Sequence, residues 1–145
     1  MIPKKILSML ADVENAVGAE IGVAQGETTL QLISLSNVKR VYAIDPFLKY
    51  SSPPKGMKSR QGYNDRKVAY MIDNEQTFDD FYDICKNKFS DYKDRIVLLR
   101  KFSNQAAELI NEKLDFVYID GNHAYDYVYD DLERYYNLVR PGGII

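Results

Sequence analysis

Three observations predict an α/β fold with a mostly parallel sheet. Short apolar runs alternate with longer stretches of helical period at least four times along the chain. One run, Phe116-Val117-Tyr118-Ile119, is apolar on both faces, as a strand buried between two helical layers must be. A turn bearing two glycines joins the first run directly to its helix. Parallel neighbours need crossover connections, and the helical stretches supply them.

The elements follow in order. Ile6, Met9, Leu10 and Val13 recur at helical spacing and predict an amphipathic lead-in helix over 4–16. Residues 17–23 read as a buried strand and residues 27–35, with Leu30, Leu32 and Ile33, as a helix. Asn37-Val38-Lys39-Arg40 reads as a polar turn into a strand over 41–44. Residues 47–72 break the pattern, with Ser51-Ser52-Pro53-Pro54, Gly56 and Gly62, and are expected to form a long irregular insertion. Phe78, Phe81, Tyr82, Cys85 and Phe89 form the next helical stripe, followed by a strand over 96–99 and a helix over 104–112. After the strand at 116–119, Tyr125, Val128, Leu132, Tyr135 and Val139 mark a last helix. Pro141-Gly142-Gly143 is expected to end it, and Ile144-Ile145 to begin a fifth strand.

Composition sets limits on the function. With 145 residues, 46% of them hydrophobic, the chain can bury one core and reads as a single domain over 1–145. A net charge of −2 provides no field for gathering nucleic acid or an anionic membrane, so neither is expected as a partner. No apolar run approaches the roughly 18 residues of a membrane span, and the first residues lack the apolar core of a secretory leader. The single cysteine, Cys85, leaves no internal disulfide framework, and a cytoplasmic setting is expected. Because Cys85 shares the stripe of Phe81 and Phe89, it reads as a packing residue.

Ligands on parallel sheets bind beyond the carboxyl ends of the strands, so the segments after each strand carry the candidate chemistry. The first is Glu20-Ile21-Gly22-Val23-Ala24-Gln25-Gly26. Its glycines let backbone pass close to a ligand, and the free N–H groups at the following helix start favour an anionic group. The Gly-x-x-x-Gly spacing differs from the Gly-x-Gly-x-x-Gly of dinucleotide folds. A plain tight turn is the alternative. The second segment is Asp45-Pro46-Phe47, about twenty residues on, where an acid accepts ribose hydroxyls in these folds. Phe47 is a candidate to flank an adenine ring; a solvated strand-end aspartate is the alternative for Asp45.

These two segments resemble the first motifs of class I S-adenosylmethionine-dependent methyltransferases. Phe116-Val117-Tyr118-Ile119-Asp120-Gly121-Asn122-His123-Ala124-Tyr125, followed by Asp130-Asp131-Leu132 and Arg140-Pro141-Gly142-Gly143, resembles the branch of macrocin-type sugar O-methyltransferases. The resemblance implies a Rossmann-like three-layer sandwich and transfer of a methyl group from S-adenosylmethionine to a small-molecule or sugar hydroxyl. It implies that Glu20 and the backbone of Gly22, Val23, Ala24, Gln25 and Gly26 hold the methionine end of the cofactor, and that Asp45 holds the ribose. Lys101, Phe102 and Ser103 would border the adenine. Asp120 would lie in the cofactor shell or ligate Mg²⁺, and His123 would act as general base. Histidine titrates near neutral pH and suits that role, although a helix-start histidine can also serve only local hydrogen bonds.

Lys49, Lys55, Lys58, Arg60, Arg66 and Lys67 face a single acid, Asp65, within 47–72. A basic loop at a site rim would suit an anionic acceptor; a solvated loop is the alternative. The family template has seven strands, so the last strands are expected to be missing and the domain incomplete at its C-terminus. An uncovered strand at 116–119 would then promote self-association. Two other readings compete. A non-catalytic S-adenosylmethionine-binding module would keep the pocket alone. An NAD-dependent oxidoreductase or epimerase is disfavoured by the glycine spacing and by the lack of a Tyr-x-x-x-Lys pair after a strand.

Overall fold

A computed structural model describes residues 4–50, 54–57 and 77–145. The parts of the expected insertion at 51–53 and 58–72, with Lys58, Arg60, Asp65, Arg66 and Lys67, lie outside the described residues. The chain folds as α1 (Lys4–Leu10), β1 (Ala16–Ile21), α2 (Glu27–Ser34), β2 (Val38–Ile44), α3 (Phe78–Lys88), β3 (Ile96–Leu99), α4 (Ser103–Ala107), β4 (Leu114–Ile119), α5 (Tyr125–Tyr135) and β5 (Val139–Ile144). The five strands form one all-parallel sheet in the order β3-β2-β1-β4-β5. This is the expected α/β sandwich. Strand order runs outward from β1 through β2 to β3, then returns to the other side of β1 with β4, so the switch point lies between β1 and β4.

Each face of the sheet carries its own core. Leu32 and Ile33 of α2, Phe81 and Cys85 of α3 and Phe89 just after it cover one face together with Val41, Ala43 and Phe116. Ala106, Ile110 and Tyr135 cover the other, against Val17, Ala19, Ile21 and Val117. All six residues of β1 are buried, which is why no polar alternation marks it in the sequence. The α3 stripe is closed at its start by a capping box: Thr77 Oγ1 accepts from the Asp80 N–H at 3.1 Å while Asp80 Oδ2 accepts from the Thr77 N–H at 2.6 Å.

Several boundaries differ from expectation, each for a physical reason. The lead-in helix stops at Leu10, where Asn37 Nδ2 donates to the carbonyls of Leu10 (2.6 Å) and Val13 (3.0 Å). Val38-Lys39-Arg40 is strand, not turn, because Val38 and Arg40 take up register with β1 and Arg40 reaches Glu112 at 2.6 Å. The same Glu112 also accepts from Tyr42 at 2.7 Å, and the helix expected to run to it ends instead at Ala107. The last helix ends at Tyr135, so Val139 and the Pro141-Gly142-Gly143 run belong to β5. Among the described residues β5 pairs on one side only, where proline is tolerated, and the register shift between its two pairings with β4 accommodates the Pro-Gly-Gly run. The strand at 116–119, expected to lack cover on one side, is therefore flanked by β1 and β5.

Gly18 shows how tightly β1 and β4 meet. It pairs with Phe116, and a Cβ built on it would lie 2.2 Å from the Phe116 ring. Gly18→Ala should therefore destabilise the fold by at least about 1–3 kcal/mol, the range for overpacking a core. Urea melts of the two proteins measure this, and equal midpoints would show that the ring has room to move.

Candidate functional site

A cleft opens over the carboxyl ends of the strands. Its lining includes Ile21 and Gly22 after β1, Ile44 to Leu48 after β2, Phe102 and Ser103 after β3, and Asp120 to Asn122 after β4. Tyr50, Pro54, Met57, Tyr127, Asp130 and Asp131 complete much of the rest. Four segments far apart in sequence thus converge on one site.

The glycine turn is shaped first by the protein around it. A Cβ on Gly22 (φ 91°) would come within 2.5 Å of the Asp120 carbonyl oxygen and the Gly121 Cα. A Cβ on Gly26 (φ 82°) would meet the Phe89 ring at 2.6 Å. Both glycines therefore serve close packing against the end of β4 and against α3, and Gly22 alone of the two lines the cleft. The N–H groups of the turn itself are engaged by protein acceptors. Asp45 Oδ2 accepts from the N–H groups of Val23 (3.0 Å) and Ala24 (3.1 Å), and the Gly22 N–H donates to the Ile44 carbonyl (2.8 Å).

Asp45 is thus the anion of this turn as well as a lining residue. Its Oδ1 accepts from the Phe47 N–H at 2.7 Å. Burial pushes its carboxyl up from the ordinary range, against the three N–H groups that favour the charged form. Ala24 and Phe47 hold positive φ angles, 49° and 45°, a conformation costly for residues with side chains. Phe47 lines the cleft, but its ring is buried in the core beside Tyr82, centroids 5.3 Å apart.

The other expected cofactor residues divide. Phe102, Ser103 and Pro46 line the cleft, whereas exposed Lys101 does not, nor do Val23 and Gln25. Glu20 lies beneath the turn instead of in the cleft. It is buried, with its carboxylate accepting from the Thr29 hydroxyl of α2. Burial pushes it up to about 8 from an ordinary 4.5, against the Thr29 bond, and the carboxylates of Asp120 and Asp45 add to the rise. Cys85 is inert by the same physics: burial pushes the thiol up to about 12, and its Sγ lies 3.3 Å from the Ala24 carbonyl oxygen.

After β4, Asp120 lines the cleft half exposed, while His123 is 74% exposed and lies outside the lining. His123 Nε2 stands 3.7 Å from Asp120 Oδ1. Among the described residues no group of three His, Cys, Asp or Glu side chains is placed to hold a metal ion, so the donor set expected for Mg²⁺ is not assembled here. None of their helices is long and apolar enough to cross a membrane.

Sequence reasoning missed one wall. Asp130 and Asp131 are buried on the inner face of α5; Asp130 pairs with Arg134 Nε at 2.8 Å. Asp131 is pushed up to about 6 by burial, against a bond from the Ser103 side chain, with Asp130 adding to the rise. The Tyr135 hydroxyl donates to the Ser103 carbonyl at 2.9 Å, so α5 holds Ser103 at two points. Tyr50 packs against Phe102 (5.1 Å) and Tyr127 (5.8 Å). The available signal was two acids on the buried stripe that Tyr127 and Tyr135 define.

The sequence profile of a family described as a methyltransferase domain matches residues 19–145. No curated protein matches the chain. Several solved structures share its fold. An rRNA methylase from Streptococcus thermophilus superposes with a TM-score of 0.60 at 14% identity, over 99% of this chain and 70% of that one. A Streptococcus mutans protein described as a methyltransferase, in complex with SAH, gives 0.61 at 11% identity, over 99% and 72%. A precorrin-6y C5,15-methyltransferase from Geobacter metallireducens gives 0.60 at 14% identity, over 97% and 57%.

Glu20 gives the site a pH signature. Its carboxyl binds a proton more tightly folded than unfolded, so this residue's contribution to stability is full below pH 4.5 and is lost as pH rises to about 8. Glu20→Gln should flatten the stability profile across that window and raise stability at its upper end. Thermal melts from pH 4 to 9 test this; an unchanged slope would mean that Glu20 stays charged in the folded state.

Proposed function

The chain belongs to the methyltransferase-domain family, and we propose that it transfers the methyl group of S-adenosylmethionine to a hydroxyl oxygen of a small molecule. A sugar hydroxyl is the acceptor that the macrocin-type likeness of residues 119–125 favours. The observation that carries the proposal is the convergence of Gly22, Asp45, Ser103 and Asp120, each just beyond a strand end, on one cleft at the topological switch point.

The residues present suit the cofactor. Asp45 Oδ1 holds one N–H bond and Oδ2 two, and a carboxylate offers about four acceptor sites, which leaves one on Oδ1 for a ribose hydroxyl. Pro46 and Phe102 offer apolar surface to a purine. The described lining carries Asp45, Asp120, Asp130 and Asp131 and no Lys, Arg or His, a field that favours a sulfonium cation over a neutral thioether. The same lining suits a neutral acceptor better than the anionic one that the basic residues of 47–72 suggested.

When bound, S-adenosylmethionine supplies an electrophilic methyl group on a cationic sulfur. The residues of this chain then have two tasks. His123, at the rim, takes the acceptor hydroxyl proton at Nε2, and Asp120 at 3.7 Å steadies the imidazolium so formed. Asp45 and the turn it grips fix the cofactor in line with the incoming oxygen. No step is assigned to a metal.

Calorimetric titration should show tighter binding of S-adenosylmethionine and SAH than of NAD; the reverse order would overturn the proposal. Asp45→Ala should weaken cofactor binding by roughly 1–3 kcal/mol, the range for lost hydrogen bonds to a charged group. Where methyl transfer is measured, His123→Ala should slow turnover by about 10²–10⁴-fold with little change in cofactor affinity. An equal loss of affinity would give His123 a binding role instead of a proton-transfer role.

A further inference from the structure

We infer that Asn104 and Arg134 are positioning residues for the ligand cleft, because together they hold the turn at 54–57 in place as its wall. The inference takes the cleft's ligand from the methyltransferase reading. Residues 54–57 form a tight turn closed by the Met57 N–H donating to the Pro54 carbonyl at 3.2 Å, with Gly56 at φ 84°. A positive φ at the third position marks a type II turn and favours glycine there. Pro54 and Met57, its first and last residues, both line the cleft. The carbonyls of the two central residues are held by side chains of α4 and α5. Asn104 Nδ2 donates to the Lys55 carbonyl at 3.0 Å, and Arg134 Nη2 donates to the Gly56 carbonyl.

Both donors are costly choices that ordinary core packing does not explain. Asn104 is only 5% exposed, and among the described residues its Oδ1 accepts no hydrogen bond. An apolar residue would fill that space without burying an amide, so the bond to Lys55 is what the amide supplies. Arg134 is braced from its own helix by buried Asp130, whose Oδ2 takes the Nε–H and leaves the far end of the guanidinium aimed at Gly56. A planar guanidinium can bind a carboxylate with one edge and a carbonyl with another, which lysine cannot do in the same geometry. Asn104 also follows Ser103 directly, so the residue that lines the cleft and the residue that holds its wall are adjacent in α4.

The test uses the 145-residue chain with SAH as probe and calorimetry as readout. Asn104→Ala, Arg134→Ala and Gly56→Ala should each weaken SAH binding by about fivefold or more, the scale of one lost hydrogen bond. Gly56→Ala acts on the turn, since among the described residues a Cβ there meets nothing nearer than Asn104 Nδ2 at 3.9 Å, so it decides the matter if an α4 or α5 variant fails to fold. The double variant Arg134→Ala/Gly56→Ala should be no weaker than the weaker single, because both release the same turn. Multiplying losses, or affinities within twofold of the parent, would overturn the inference. The sequence has no tryptophan, so Met57→Trp adds a sole indole on the wall, which red-edge excitation selects over the tyrosines. Its emission should shift to the red when Arg134→Ala is added. Unmoved emission overturns the inference even if the parent binds no SAH, whereas a parent that binds no SAH but shows the shift counts against the methyltransferase reading alone.

Discussion

One carboxylate joins the two halves of the site. Asp45 stands at the end of β2, yet it satisfies N–H groups of the turn after β1 and of its own loop. Those turn and loop donors would otherwise lack this protein acceptor, a cost of about 1–3 kcal/mol for each that water cannot reach. Satisfying them with a single side chain fixes the spacing between the β1 and β2 loops to within a hydrogen bond's tolerance. The positive φ angles of Ala24 and Phe47 flank this contact, so the backbone strain of the site is held where the carboxylate can offset it.

The same contact explains the electrostatics beside it. Glu20, Asp45 and Asp120 lie at or just beyond the ends of three adjacent strands, and three charges at such spacing repel one another in a poorly hydrated site. Each carboxylate meets that repulsion differently. Asp45 keeps charge-favouring N–H partners, Asp120 stays half exposed to water, and Glu20, buried beneath the turn, gives way by holding its proton up to about pH 8. On α5, Asp131 repeats the pattern beside Asp130, whose charge Arg134 already balances. The acids around the cleft thus meet one another's repulsion by different means.

How much of this was legible in the sequence depended on whether the signal was local. Alternating apolar runs gave the strands and helices, because burial on both faces leaves an unbroken apolar stretch wherever it occurs. Boundaries failed where a distant partner decided them. Lys39-Arg40 looks like a turn until Glu112 arrives from across the sheet, and Pro141-Gly142-Gly143 looks like a stop signal until β4 offers it an edge. The site divided in the same way. Gly22, Asp45, Ser103 and Asp120 were legible because the topology places strand ends together. Asp130, Asp131, Tyr50 and Tyr127 were not, because a helix face reveals its target only once its packing partner is known.

The glycine motif shows that a spacing can have a structural cause besides the one it suggests. Its spacing pointed to backbone clearance for a ligand, yet each glycine is required by protein atoms: Gly22 by the Asp120–Gly121 backbone and Gly26 by the Phe89 ring. These demands bring the β1 turn down onto the end of β4 and onto α3, and so place Gly22 and Asp120 side by side at the switch point. The ligand cleft is what remains above them. At Gly22, close packing below and open space above both follow from the missing Cβ. A substitution at Gly22 would therefore disturb the fold and the site together, and Asp45→Ala, which takes the acceptor from three N–H groups, acts on the same two loops.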